Sequence, residues 1–208
     1  GKGGNLGYDF NRLFFSMHYK VGDDAFKYAA QTWERVVKSR HAFNSSKDEF
    51  LSFELSTERD FKTHWQTVND RARTGNFAVW AGHLLTHASI QDDHNDGIEF
   101  RSDVGEDGTL RSSEIAPLPV LPWRPESFLV LAGCNTGLSR AGWNPGAAFA
   151  QHQKVTTLGQ TGYAYFSEKW HTYSAKTNET EICLWAFSRG KNAFFGSGGR
   201  LAGRVFSA

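Results

Sequence analysis

Cysteine is scarce in this chain, which excludes a disulfide scaffold: 208 residues hold two, Cys134 and Cys183. An excess of one charge is also missing. Lys and Arg total 23 against 22 Asp and Glu, which leaves no electrostatic footprint for nucleic acid or an anionic membrane. No stretch approaches the roughly 18–20 consecutive apolar residues of a membrane-spanning helix. Proline is rare, and four of the five (Pro117, Pro119, Pro122 and Pro125) mark a single connection. No internal repeat is visible.

Aromatic residues, by contrast, are plentiful. They make up 14% of the chain, with seven Trp and seventeen Phe, so the chain is globular rather than disordered. Its length suits one substantial core. The Gly-rich opening, Gly1-Lys-Gly-Gly-Asn-Leu-Gly7, reads as a linker. We therefore expect residues 1–22 to form an arm and 23–208 a single domain with its core at 49–190. With no signal-peptide pattern visible, the expectation is a module of a larger protein.

The periodicity predicts an amphipathic helix over 23–40, capped by Asp23 or Asp24, with Phe26, Ala29, Ala30, Trp33, Val36 and Val37 on one face. A mostly buried strand is expected over 50–55. Thr57 with Asp60 signals a capped helix that carries Phe61, Trp65, Val68 and Ala72 and ends near Gly75. A long strand from Phe77 to His87, bent near Ala81-Gly82, completes a strand–helix–strand unit and hence parallel pairing. An acidic stretch over 90–108 carries a hairpin with its tip at Asp107-Gly108. A helical turn follows at Glu114-Ile-Ala-Pro117, then a strand from Phe128 to Ala132. Asn144-Pro145 opens a helix through Gln153. Strands are expected near 155–158, 163–167 and 182–187, and a loop over 196–203. The fold class is α/β, with a central, mostly parallel sheet flanked by helices.

Two strand ends carry the chemistry. The run Phe128-Leu-Val-Leu-Ala-Gly-Cys134 delivers a thiol, and Gly82-His-Leu-Leu-Thr-His87 delivers an imidazole. In open α/β sheets, ligands bind beyond the carboxyl ends of the strands. A thiol attacks at neutral pH only where a base or positive field raises its thiolate fraction. Small neighbours (Ala88, Ser89, Gly133 and Gly137) fit close substrate approach and backbone N–H groups for an oxyanion. Cys183, within Ile182-Cys-Leu-Trp-Ala-Phe187, reads as a small hydrophobe in a strand, and a Cys134–Cys183 bridge is the alternative that would disable the nucleophile.

This arrangement resembles the caspase-like fold of clan CD cysteine peptidases. The step from 87 to 134 is 47 positions, against the caspase spacing of about 50. Asp107-Gly-Thr-Leu-Arg-Ser-Ser-Glu-Ile115 followed by Leu129-Val-Leu-Ala-Gly-Cys-Asn-Thr-Gly137 is similar to the D-G-x-L-x-x-x-E-I and L-V-x-x-x-C-x-x-G segments of CHAT-type domains. The resemblance covers roughly residues 49–167. It implies a three-layer sandwich, His87 as base and acid, Cys134 as nucleophile, and an oxyanion site at the backbone of Ala88, Gly133 and Cys134. It also implies a protein or peptide substrate and no cofactor. Most members carry Gly after the histidine where this chain has Ala88. Gly159-Gln-Thr-Gly162-Tyr-Ala-Tyr165 resembles toxin domains delivered by type VI secretion systems. That implies a secreted module delivered into a target cell, with a cognate immunity protein as partner.

Asp92, Asp93 and Asp96 crowd one loop and are candidates, with Asn135, for substrate binding, favouring a basic residue. The same loop, through Asp103, faintly echoes a calcium loop, but its eighth place is Glu99 rather than an apolar residue. His83, His87 and His94 would suit zinc only on a helix, and Leu84 stands where a glutamate would be needed. The order Gly133-Cys134-Asn-Thr-Gly137 does not fit a G-x-[CS]-x-G elbow. His64, His152 and His171 are alternative bases that close no central strand. The non-enzymatic alternative is an inactive caspase-like scaffold binding a partner protein through aromatics such as Trp143, Trp170 and Tyr173.

Overall fold

The computed structural model describes residues 10–22, 24–89, 97–100, 108–133, 136–138, 144–160, 163–165, 187–189 and 203–208. Its central sheet has six strands in the order β11-β8-β7-β3-β1-β2. They are β1 (Asn11–Tyr19), β2 (Glu49–Leu55), β3 (Phe77–Leu85), β7 (Trp123–Leu131), β8 (Thr156–Gln160) and β11 (Gly203–Phe206). All neighbours pair in parallel except β11, which runs antiparallel to β8 at one edge. Helix α1 (Ala25–Arg40) covers one face, where Trp33 stacks on His83 of β3. Helices α2 (Glu58–Thr74) and α3 (Pro145–Gln153) cover the other, where Trp65 meets Phe15 of β1 and Phe149 of α3. The α/β class and the three layers expected from the sequence are both present.

Strand β1 corrects the expected arm over 1–22, and with it the core boundary at 49. It lies between β3 and β2, with Leu13, Phe14, Phe15 and Met17 fully buried. A strand covered on both faces reads as a nearly continuous apolar run, and here polar residues interrupt that run. Two of those interruptions, Arg12 and Ser16, are accounted for inside the fold. Arg12 donates to Asp48 Oδ2 at 2.9 Å and to the carbonyls of His41 and Ala42. Burial would raise the Asp48 carboxyl, but hydrogen bonds from Arg12 and the Asn44 N–H hold it below its ordinary value. Ser16 Oγ lies 3.1 Å from His83 Nδ1.

Because β1 is inserted, the strand–helix–strand unit β2-α2-β3 joins strands that are not neighbours. The capped helix is as expected: Thr57 Oγ1 accepts from Asp60 N, and the Asp60 carboxylate accepts from the N–H groups of Ser56 and Thr57. Asp24 stands at the N-cap of α1 without a side-chain bond, and Asp23 lies outside the described residues. Strand β2 is a half-exposed edge rather than mostly buried, with Ser52 and Glu54 facing solvent. The expected bend in β3 is a bulge at Trp80, where the register to β1 steps from Val79 to Ala81. Gly203 opens β11 where a loop was expected.

A second, three-stranded antiparallel sheet follows β3: β4 (His87–Ser89), β5 (Gly97–Glu99) and β6 (Thr109–Leu110). Gly108, expected at a hairpin tip, instead lies beside the paired strands with φ 79°, and its carbonyl accepts from Phe100 N. A 3₁₀ turn lies at Ser112–Glu114, ending where the helical turn expected over Glu114–Pro117 begins. Strands β9 (Tyr163–Tyr165) and β10 (Phe187–Arg189) pair with each other. Cys183 lies outside the described residues.

His18 and His83 sit buried beneath α1. Neither ring nitrogen of His18, nor Nε2 of His83, has a hydrogen-bond partner among the described residues. Burial is the main cause that lowers both imidazole pKa values. For His18, Glu54 opposes the shift and Lys27 adds to it; for His83, His18 adds to it. The unfolded chain therefore takes up protons near pH 6.5 that the folded chain refuses. Stability is full above that pH and falls below it as each histidine is protonated in the unfolded chain. We expect His18→Leu to flatten the fall in urea midpoint below pH 6.5 relative to the parent, both by removing one buried imidazole and by relieving its effect on His83. Parallel profiles would contradict this.

Candidate active site

β3 and β7 are parallel neighbours, with His83 opposite Val130 and Leu84 opposite Leu131. Ala132 N extends it by donating to Leu84 O at 2.9 Å. His87, however, does not close the long strand. β3 ends at Leu85, Thr86 is a buried step, and His87 opens β4. The apolar run continues through this change of sheet, so β-propensity does not mark the break.

The His87 residue is exposed, and its ring is bracketed by two aromatic rings. Phe26 of α1 lies 4.9 Å away at 82°, and Tyr19 at the end of β1 lies 5.6 Å away at 76°. Edge-to-face contacts of this kind are attractive and directional, so they restrict the imidazole. Across the small sheet, His87 pairs with Glu99 and Ala88 with Ile98. Ala88 is buried.

Cys134 and Asn135 lie outside the described residues, as do Asp92, Asp93 and Asp96; their neighbours in the chain are described. A Cβ placed on Gly133 would sit 3.0 Å from Thr86 O and 3.1 Å from Ala88 Cβ. The residue before Cys134 thus packs against the residues on both sides of His87. On the far side, Thr136 Oγ1 lies 2.9 Å from the carbonyls of Leu131 and Gly133 and accepts from Gln160 N at 3.1 Å. Gly137 N donates to Gln160 O at 2.7 Å. That bond corrects the reading of Gly137 as a free oxyanion donor: its small size serves contact with Gly159 of β8.

The other histidines are elsewhere. His83 is buried against Trp33, so it does not join His87. His64 contacts Glu54 O and stacks on Phe53 at the outer edge. His152 lies in the last turn of α3, next to Gln153, which binds Leu121 N before the start of β7, at the opposite end of the sheet. His94 and His171 lie outside the described residues, as do Trp143, Trp170 and Tyr173. Among the described residues, no group of three or more His, Cys, Asp or Glu is placed to hold a metal ion. No described helix is long and apolar enough to cross a membrane.

In the D-G-x-L-x-x-x-E-I segment, Glu114 Oε2 accepts from Arg111 N at 2.8 Å and caps the 3₁₀ turn. Glu58, in the first turn of α2, has a side chain only 2% exposed and an ion pair to Lys62 at 3.0 Å. Burial pushes its carboxyl up to about 7; Lys62 opposes the shift and Glu114 adds to it. Tyr19 and Phe26 are the site residues that the sequence reading missed as such. Phe26 was legible as a core position, and Tyr19 belongs to the overlooked run of β1.

Comparison of the sequence with protein-family models gives no match, nor does comparison with curated proteins.

A Cβ on Gly159 would lie 2.5 Å from Gly137 N and from the carbonyl carbon of Thr136, both backbone atoms. Gly159→Ala is therefore expected to cost about 1–3 kcal/mol, read as a lowered urea midpoint. A midpoint equal to that of the parent would contradict this close packing.

Proposed function

We propose that the chain is a caspase-like cysteine peptidase acting through Cys134 and His87. The carrying observation is the packing of Gly133 against Thr86 and Ala88, which are the neighbours in sequence of both proposed groups. His87 takes the thiol proton, and Cys134 Sγ attacks the peptide carbonyl. The oxyanion is held by backbone N–H groups at Ala88 and Cys134, beside Gly133. Collapse of the tetrahedral intermediate breaks the C–N bond, and His87 returns its proton to the leaving amine. Water, deprotonated by His87, then hydrolyses the thioester and regenerates the thiol.

In this reading the acidic residues Asp92, Asp93 and Asp96, with Asn135, select a basic substrate side chain. The chain acts as a toxin module delivered into a target cell, where an immunity protein restrains it. Support for the biological role is the resemblance of its sequence segments alone.

Cleavage of a profiled peptide library is expected for the parent. Cys134→Ala and His87→Ala are each expected to lower it by about 10³-fold or more, with unchanged melting temperatures. Full cleavage by Cys134→Ala would overturn the assignment, and a library with no preference for Arg or Lys would remove the acidic-loop role. A parent that cleaves nothing and binds a partner through the same face would favour the scaffold.

A further inference from the structure

In the small sheet, His87 shares its row with two side chains that the proposed dyad does not use. The register places Glu99 directly opposite His87 on one side and opposite Thr109 on the other. Directly opposed residues in antiparallel strands point to the same face, with Cβ atoms about 4.5–5.5 Å apart. The next row, Ala88, Ile98 and Leu110, points to the opposite face and is buried, at 9%, 1% and 1% exposure.

That burial fixes the register. A slip of one residue would turn Ile98 out to solvent and bring Glu99 into the core, so the pairing of Glu99 with His87 is enforced by the apolar row beside it. Glu99 is half-buried and Thr109 is 6% exposed, so the row passes from a nearly buried hydroxyl to an exposed imidazole. Gly97, two residues before Glu99 on the same strand, leaves the space that the Thr109 methyl group fills.

We propose that Glu99 is the positioning residue of His87: its carboxylate accepts a hydrogen bond from one imidazole nitrogen, fixes the tautomer and favours the protonated ring. This rests on the cysteine-peptidase reading for its purpose, but not for its geometry. A carboxylate within hydrogen-bonding reach sets which ring nitrogen carries the proton, and stabilises the imidazolium that pairs with a thiolate. The other elements packed on His87 present the Tyr19 phenol and the Phe26 ring. Their nearby charges are Lys20, which pairs with Glu54 at 3.9 Å, and Asp24 and Lys27 at the start of α1. Among the described residues, Glu99 is an acidic side chain that strand register sets against the ring.

The test is an NMR titration of the His87 imidazole in Cys134→Ala protein, with and without Glu99→Gln. It needs no turnover, so it fails or succeeds independently of the peptidase reading, which stands or falls on cleavage. We expect the imidazole to titrate about one pH unit lower once the carboxylate is gone, and Glu99→Asp to retain part of that difference. In the Cys134-containing enzyme, Glu99→Gln is expected to lower kcat about tenfold with little change in KM. An imidazole titration unmoved by Glu99→Gln would overturn the proposal. Should that variant fail to fold, the Glu99 carboxyl signal of the Cys134→Ala protein decides: a second inflection at the His87 pKa supports the pair, and its absence overturns it.

Discussion

Where β3 and β7 run out, Gly133 has no Cβ, and the carbonyl of Thr86 and the methyl group of Ala88 lie only 3.0 and 3.1 Å from where one would sit. The rest of the site depends on this contact. The parallel ladder keeps the two strands in step as far as Leu84 and Ala132. Beyond it the chains diverge, one into the small antiparallel sheet and the other towards β8. Close contact at the point of divergence holds the two segments at the same carboxyl end of the sheet, where α/β folds bind their ligands. A larger residue at 133 would part them.

The same end of the molecule is fastened from three further directions. Thr136 and Gly137 tie the segment after Cys134 to Gln160 and Gly159 of β8. Phe26 and Tyr19 bring α1 and β1 against His87. Helix α1 therefore has two duties. Near its start it brackets the exposed histidine, and about two turns along, Trp33 covers the buried His83. Polar groups that find no partner among the described residues lie beneath this helix, and such groups are costly. Their presence under α1 couples the stability of this layer to pH, on the same element that restrains the site.

The sequence disclosed what strong local rules govern. The Thr57–Asp60 box, the stripe Phe61, Trp65, Val68 and Ala72, and the Asn144-Pro145 start each rest on one mechanism acting within a few residues, and the helices lie where those rules put them. Strand β1 was missed because Asn11, Arg12, Ser16 and His18 break its apolar run; the hydrogen-bond partners that explain Arg12 and Ser16, Asp48 and His83, lie in distant segments. β2 reads as buried in isolation, but it is the last strand of the sheet, with β1 on one side and no strand on the other. The strand ends that carry the site were legible as ends of apolar runs. The change of sheet at Thr86 was not, since it depends on pairing with β5 across a gap in sequence. Gly137 carried a correct signal of close approach and a wrong partner: its neighbour is Gly159, not a substrate.

The central claim is that the thiol at 134 and the imidazole at 87 act on one another. Its most direct test is the pH profile of iodoacetamide alkylation at Cys134, followed by mass spectrometry so that Cys183 is read separately. Ion pairing predicts rapid alkylation well below the ordinary thiol pKa of about 8.5, and an inflection that returns towards that value in His87→Ala. Superimposed profiles for the parent and His87→Ala would contradict the account.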